Sequence, residues 1–265
     1  MHRTDAVYDT DWEFYDEFYA DVDDLDFYAG LARRAGGPVL EVMCGTGRIL
    51  VPLARAGFEV TGIDANEKML DSARKKLEKE PLEVQGRVKL VKADARDFDL
   101  RRKFDLVILP FSSVNHLLSP QDQDRAVACL KDHLSENGLL AVATFNPQPG
   151  KLHSEKLDKE VELENGDLLI RYSTLTVNPA GNIMHVQYRW EVEHDGAIVR
   201  EMSSAFDLRL LKPNQLKALL EGAGFQLVER YGGYRGEPLD PKGDIVVFVA
   251  VPRMVWKENE KLLAR

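Results

Sequence analysis

From residue 37 the chain alternates short apolar runs with stretches of helical spacing, and that rhythm admits few architectures. Residues 39–43 read as a strand, set off by Gly36-Gly37-Pro38 before and Gly45 after, and residues 48–56 as a helix stopped by Gly57. Further strands are expected at residues 59–63, 87–91, 104–109 and 139–145. Helices are expected at 66–79 and 121–134, the second ended by an Asn137-Gly138 turn. Strands joined through helices run parallel, because a parallel pair needs a long crossover. The expected class is α/β.

Near residue 150 the rhythm changes. Residues 168–177, 183–193 and 198–210 are too long and continuous for strand–helix units, and Asp195-Gly196 is a hairpin turn signal. Val186, Tyr188, Trp190 and Val192 fall on one face of the second run. His185, Gln187, Arg189, Glu191 and Glu193 fall on the other, as in an antiparallel sheet with one wet side. The first pattern then returns. A helix with Pro213 in its first turn precedes Gly224, and residues 225–229 and 244–251 supply two more strands.

Composition removes several function classes. No apolar run is long enough to cross a bilayer, so no membrane partner is expected. Met1-His2-Arg3-Thr4-Asp5 lacks the apolar region of a secretory signal, which points to the cytoplasm. Cys44 and Cys129 form neither a disulfide framework nor a metal-ligand spacing, so no metal is expected. The net charge of −9 gives no basic footprint for nucleic acid. The first 28 residues carry ten acidic side chains and also eight aromatics, Tyr15 and Tyr19 among them. A solvated acidic tail is poor in aromatics. This segment therefore packs, either as a covering helix or as a lid over a ligand.

The strongest local signal is Glu41-Val42-Met43-Cys44-Gly45-Thr46-Gly47, which runs from a strand end into a helix start. Its glycines permit a tight turn and a close approach of ligand to backbone. Asp64 ends the second strand, where a carboxylate can accept from both hydroxyls of a ribose. Asp94, after the third strand, is placed to accept from an adenine amino group. All three lie at the carboxyl ends of successive strands, where open α/β sheets bind ligands. A dinucleotide fingerprint needs a third glycine where Leu50 stands, and no phosphate-binding Gly-Lys-Ser/Thr is present.

These residues, with Met69-Leu70, resemble the class I S-adenosylmethionine-dependent methyltransferase family. The resemblance implies a Rossmann-like seven-stranded sheet with an antiparallel β insert. It implies a helical lid at 1–36, a cofactor-binding domain at 37–149 and 211–252, a substrate-side insert at 150–210 and a tail at 253–265. The cofactor would be S-adenosylmethionine and its product S-adenosylhomocysteine. Gly45 and Gly47 would border the methionine moiety with Glu41 supporting it, and Cys44 would pack under the same turn. Asp64 and Ala65 would hold the ribose, while Met69, Asp94 and Ala95 would surround the adenine. Leu109 and Phe111 would flank the methyl end, with Tyr15 and Tyr19 folding over it. The family usually has glycine where Met43 stands.

The insert is similar to that of sugar-amine and glycine/sarcosine N-methyltransferase-like groups. The expected reaction is methyl transfer to a small-molecule acceptor, an amine before a hydroxyl, with His116 as base or orienter. Arg189, Tyr231, Tyr234 and Arg235 are the candidate acceptor contacts, set against solvated or loop roles. The alternatives are cyclisation or aminocarboxypropyl transfer from the same cofactor, or binding without catalysis. A homodimer is compatible with the sequence.

Overall fold

Runs that are apolar on both faces become the strands of a central sheet, since helices cover both sides of it. The computed structural model describes residues 12–146, 152–178, 180, 182–240 and 243–253. In it β1 (Val39–Val42), β2 (Val60–Asp64), β3 (Val88–Lys92), β4 (Phe104–Leu109) and β5 (Leu134–Phe145) lie in the order β5-β4-β1-β2-β3. All five run parallel. β11 (Ile245–Pro252) adds antiparallel to β5, and β10 (Phe225–Tyr231) adds antiparallel to β11, which makes seven strands.

The helices are α1 (Tyr15–Phe18), α2 (Leu25–Ala35), α3 (Leu50–Arg55), α4 (Glu67–Leu77), α5 (Leu82–Gln85), α6 (Pro120–His133) and α7 (Pro213–Gly222). Tyr28 and Leu31 of α2 and Leu50 and Leu53 of α3 pack with Val39, Leu106 and Ile108 of the sheet. Val127 and Leu130 of α6 and Leu216 and Leu220 of α7 pack with Leu40, Val107 and Leu140. None of the helices among the described residues is long and apolar enough to cross a membrane.

The second sheet is antiparallel, in the order β6 (His153–Glu162), β7 (Leu168–Val177), β8 (Ile183–His194) and β9 (Ala197–Arg209). Val186, Trp190 and Val192 are buried, as the alternation of β8 predicts. Glu191 departs from it: it is buried on the face expected to be wet, ion-paired with Arg189. β6 was invisible to periodicity because its sequence is dominated by charged residues. It forms a sheet edge, where charges discourage further pairing. α3 starts at Leu50 rather than residue 48, because the preceding residues remain in turns. The Asn137-Gly138 pair lies inside β5, beside a register irregularity against β4, instead of ending a helix.

The amino-terminal segment is a strap between the two sheets. Phe14 and Phe18 are buried with Leu169, Trp190 and Val192 of the insert, and the Phe18 and Trp190 rings meet edge-on at 5.1 Å. Residues 1–11 of the expected lid and 254–265 of the expected tail lie outside the described residues.

Candidate active site

The loops after β1 to β4 open on one cavity, and α1 closes one side of it. From the first loop come Met43 and Gly45, and from the second Asp64, Ala65, Asn66 and Met69. Asp94, Ala95 and Arg96 follow β3, while Phe111, Ser113, His116 and Leu117 follow β4; Tyr15 of α1 completes the wall. Nine of the residues singled out from the sequence are thus brought together: Tyr15, Gly45, Asp64, Ala65, Met69, Asp94, Ala95, Phe111 and His116.

The glycine turn owes its path to left-handed backbone. Gly45 and Gly47 have φ of 55° and 75°, which glycine adopts without steric cost. Met43 has φ 57° where the family resemblance has glycine. For a side-chain-bearing residue that conformation costs roughly 1–2 kcal/mol, so the surrounding turn must impose it. Asp64 ties this turn to the next. Its Oδ2 accepts from the Gly45 amide at 2.8 Å, and its Oδ1 from the Asn66 amide at 2.8 Å. Burial raises the Asp64 carboxyl above the ordinary range, opposed by the backbone amides of Asn66, Gly45 and Ala65. Asn66 caps α4 by accepting from the Lys68 and Met69 amides, which fixes Met69 on the wall.

Asp94 has a partner that sequence reading passed over. The Arg96 guanidinium grips its carboxylate and holds it below the usual range. Arg96 also reaches Asp122 at 3.3 Å and itself lines the cavity. Only the i,i+2 spacing from Asp94 pointed to it.

Glu41 is buried, and its Oε2 has no hydrogen-bond partner among the described residues. Burial pushes its carboxyl up to about 8, against the opposing charge of Arg48. Arg48 makes two 2.7 Å bonds to the fully buried Asp24, and its guanidinium lies 5.4 Å from the Phe111 ring centre. Asp16 on the strap accepts from Thr46 Oγ1 at 2.7 Å and pairs with Lys76. Asp16, Asp24 and Arg48 therefore lock the amino-terminal segment to the glycine turn. Their acidic members were indistinguishable from their solvated neighbours in the sequence.

Other expected residues stand behind the wall or elsewhere. Cys44 is buried beneath the turn against Gly62, and burial raises its thiol. Leu109 is core, Gly47 faces Ala73 of α4, and neither is on the cavity surface. Tyr19 touches the wall from outside: its ring meets Tyr15 at 4.7 Å and Phe111 at 4.9 Å. Tyr231, Tyr234 and Arg235 line a separate groove with Asp23 and Arg34, because the loop after β10 folds over α2. Arg235 pairs with Asp23 there, and Tyr234 packs on Tyr28. Arg189 lies on the outer face of the insert, paired with Glu155 and Glu191. His116 lines the cavity, and burial alone pushes its imidazole down to about 4.

A parallel sheet with a reversed final hairpin, and a cavity between a glycine turn and two strand-end carboxylates, define the class I methyltransferase architecture. Residues 39–138 match the family model described as a methyltransferase domain. A dTDP-3-amino-3,4,6-trideoxy-alpha-D-glucopyranose N,N-dimethyltransferase of Streptomyces venezuelae is 29% identical over 255 residues, covering 90% of this chain and 99% of that one. Among solved structures, the CcbJ methyltransferase of Streptomyces caelestis is 25% identical with a TM-score of 0.80, over 96% of this chain and all of that chain (100%). An amino pentose methyltransferase of Micromonospora echinaspora, solved with S-adenosylmethionine bound, is 27% identical with a TM-score of 0.68, over 89% of this chain and 95% of that one. The chain is a class I S-adenosylmethionine-dependent methyltransferase.

Proposed function

We propose that this enzyme methylates the amine of an amino sugar. Residues 37–149 and 211–252 hold the cofactor and residues 150–210 serve the acceptor in this reading. The observation that carries the cofactor part of this reading is the Asp64 carboxylate, fixed by two backbone amides on the wall of the cavity. The amino-sugar acceptor is supported by the full-length likeness to the Streptomyces venezuelae dimethyltransferase.

S-adenosylmethionine supplies an electrophilic methyl group on a sulfonium. Asp64, oriented before any ligand arrives, accepts from the ribose hydroxyls, and Met69 packs on the adenine beside Ala95 and Asp94. Glu41 Oε2, buried without a donor, accepts from the cofactor's ammonium, directly or through water. That pairing favours the ionised carboxylate that burial alone disfavours. Phe111 and Tyr15 exclude water from the methyl end. Alignment in such a closed site can contribute roughly 7–11 kcal/mol to an in-line displacement. His116 stays neutral at physiological pH and can accept a hydrogen bond from the amine.

The test is mass spectrometry of reactions with S-adenosylmethionine and dTDP-3-amino-3,6-dideoxy-alpha-D-glucopyranose, the acceptor named in a second relative that matches 43% of this chain and 43% of its own length. The expected products are S-adenosylhomocysteine and the N-methylated sugar. Methylthioadenosine in their place would show a different use of the cofactor.

A further inference from the structure

Alternation along an antiparallel strand sends every second residue to one face. On β7 the set Leu169, Arg171, Ser173 and Leu175 stands opposite Val192, Trp190, Tyr188 and Val186 of β8. Leu169, Trp190 and Val192 identify this as the face packed on the strap. Charge and hydroxyl at such positions conflict with core packing unless they have a use. Arg171 and Ser173 are nonetheless 7% and 2% exposed. Arg171 Nε donates to Asp158 Oδ2 at 3.0 Å, and Ser173 donates to Asp158 Oδ1 at 2.5 Å. The Phe18 and Tyr188 ring centres lie 3.6 Å and 4.1 Å from the guanidinium. Asp158 itself is exposed on the edge strand β6, so the pair faces solvent on one side and adds little to stability.

The same groups line a second cavity, and its position is informative. Asp158, Arg171, Ser173, Tyr188 and Tyr19 form part of its wall. Arg171 Nη1 donates to the Tyr19 hydroxyl at 3.0 Å. On its other side the Tyr19 ring rests on Tyr15 and Phe111, which belong to the cofactor cavity. The Tyr19 ring therefore borders an open polar chamber on the insert and touches the wall of the cofactor cavity.

We propose that this chamber binds the acceptor and recognises it by hydroxyls of its sugar moiety. Asp158 supplies acceptor oxygens, Arg171 supplies donors, and Ser173 can do either. Tyr19 and Tyr188 offer flat apolar surfaces to the C–H face of a sugar ring. The inference rests on the amine-methylating reading and deepens it.

Steady-state kinetics with dTDP-3-amino-3,6-dideoxy-alpha-D-glucopyranose test it on Asp158→Asn, Arg171→Lys and the milder Ser173→Ala, with Gln187→Ala on the outer face as control. Asp158→Asn and Arg171→Lys should raise KM for the sugar about tenfold or more, the scale of a lost charged hydrogen bond. Ser173→Ala should raise it less, and the control not at all. Kd for S-adenosylhomocysteine should stay within about twofold throughout, since cofactor contacts are untouched. A KM unchanged in all three site variants, with the wild type active, would overturn the inference while leaving the function standing. A wild type inactive on this sugar would overturn the amino-sugar reading and the inference with it.

Discussion

The cofactor cavity is framed largely by backbone and short loops: left-handed residues in the turn, amides on Asp64, and a capped helix behind Met69. The insert contributes side chains instead, joined to the rest through an aromatic seam of Phe14, Phe18, Tyr19, Tyr188 and Trp190. A backbone cradle tolerates little change in path but much in the surrounding side chains. A side-chain wall does the opposite, keeping its sheet while its chemistry can be rewritten. The strap is where the two styles meet. Its phenylalanines face the insert, while Asp16 and Tyr15 face the glycine turn and the cavity.

The sharpest way to break this contrast is at the seam. Trp190→Ala removes the largest side chain under the strap, and such truncations cost roughly 3–5 kcal/mol. Differential scanning calorimetry should register that loss, with faster hydrogen exchange in the strap and insert and unchanged protection in β1, β2 and β4. Equal loosening of the central sheet would show that the two regions are not energetically separable.

On the cofactor side, Asp64→Ala removes an acceptor for two amides and for the ribose. A hydrogen bond to a charged group is worth roughly 1.5–3 kcal/mol, so titration calorimetry should find S-adenosylhomocysteine binding weakened at least about tenfold. An unchanged Kd, with circular dichroism intact, would place the ribose elsewhere. The acceptor's KM should barely move, in contrast with the chamber variants.

A third contrast lies on the pH axis and concerns Glu41. Its carboxyl is raised from 4.5 to about 8 in the folded protein without ligand. A folded value above the unfolded one means stability that is full below pH 4.5 and is lost as pH rises towards 8. Glu41→Gln should abolish that slope, so the variant's melting temperature should gain on the wild type's between pH 5 and 8. Parallel curves would mean that Glu41 already has a partner.

Much of the cofactor half was legible because its determinants are local. A turn needs glycine within a few residues, and a strand-end carboxylate follows directly from the strand. The same reasoning found the hydrophobic face of β8, since alternation is a local signal too. Leu109 was expected beside the cofactor and lies in the core instead, because a residue next to a site in sequence can point inward, whereas Cys44 packs under the turn as expected. Tyr231, Tyr234 and Arg235 were expected to contact the acceptor but line a separate groove, because a loop's direction depends on packing, here over α2. Arg171 and Asp158 were passed over because β6 has no apolar rhythm, and a buried arginine looks like a solvated one until its strand neighbours are known.

The central claim is that the strap closes the cofactor site while anchored to the insert. Hydrogen exchange across residues 12–24, with and without S-adenosylhomocysteine, tests it most directly. The account predicts measurable protection around Phe14 and Phe18 in the free protein, from their burial against Trp190. Protection should increase when ligand is added, together with that of the turn around Gly45. Exchange in the strap that ignores the ligand, while the turn responds, would contradict it.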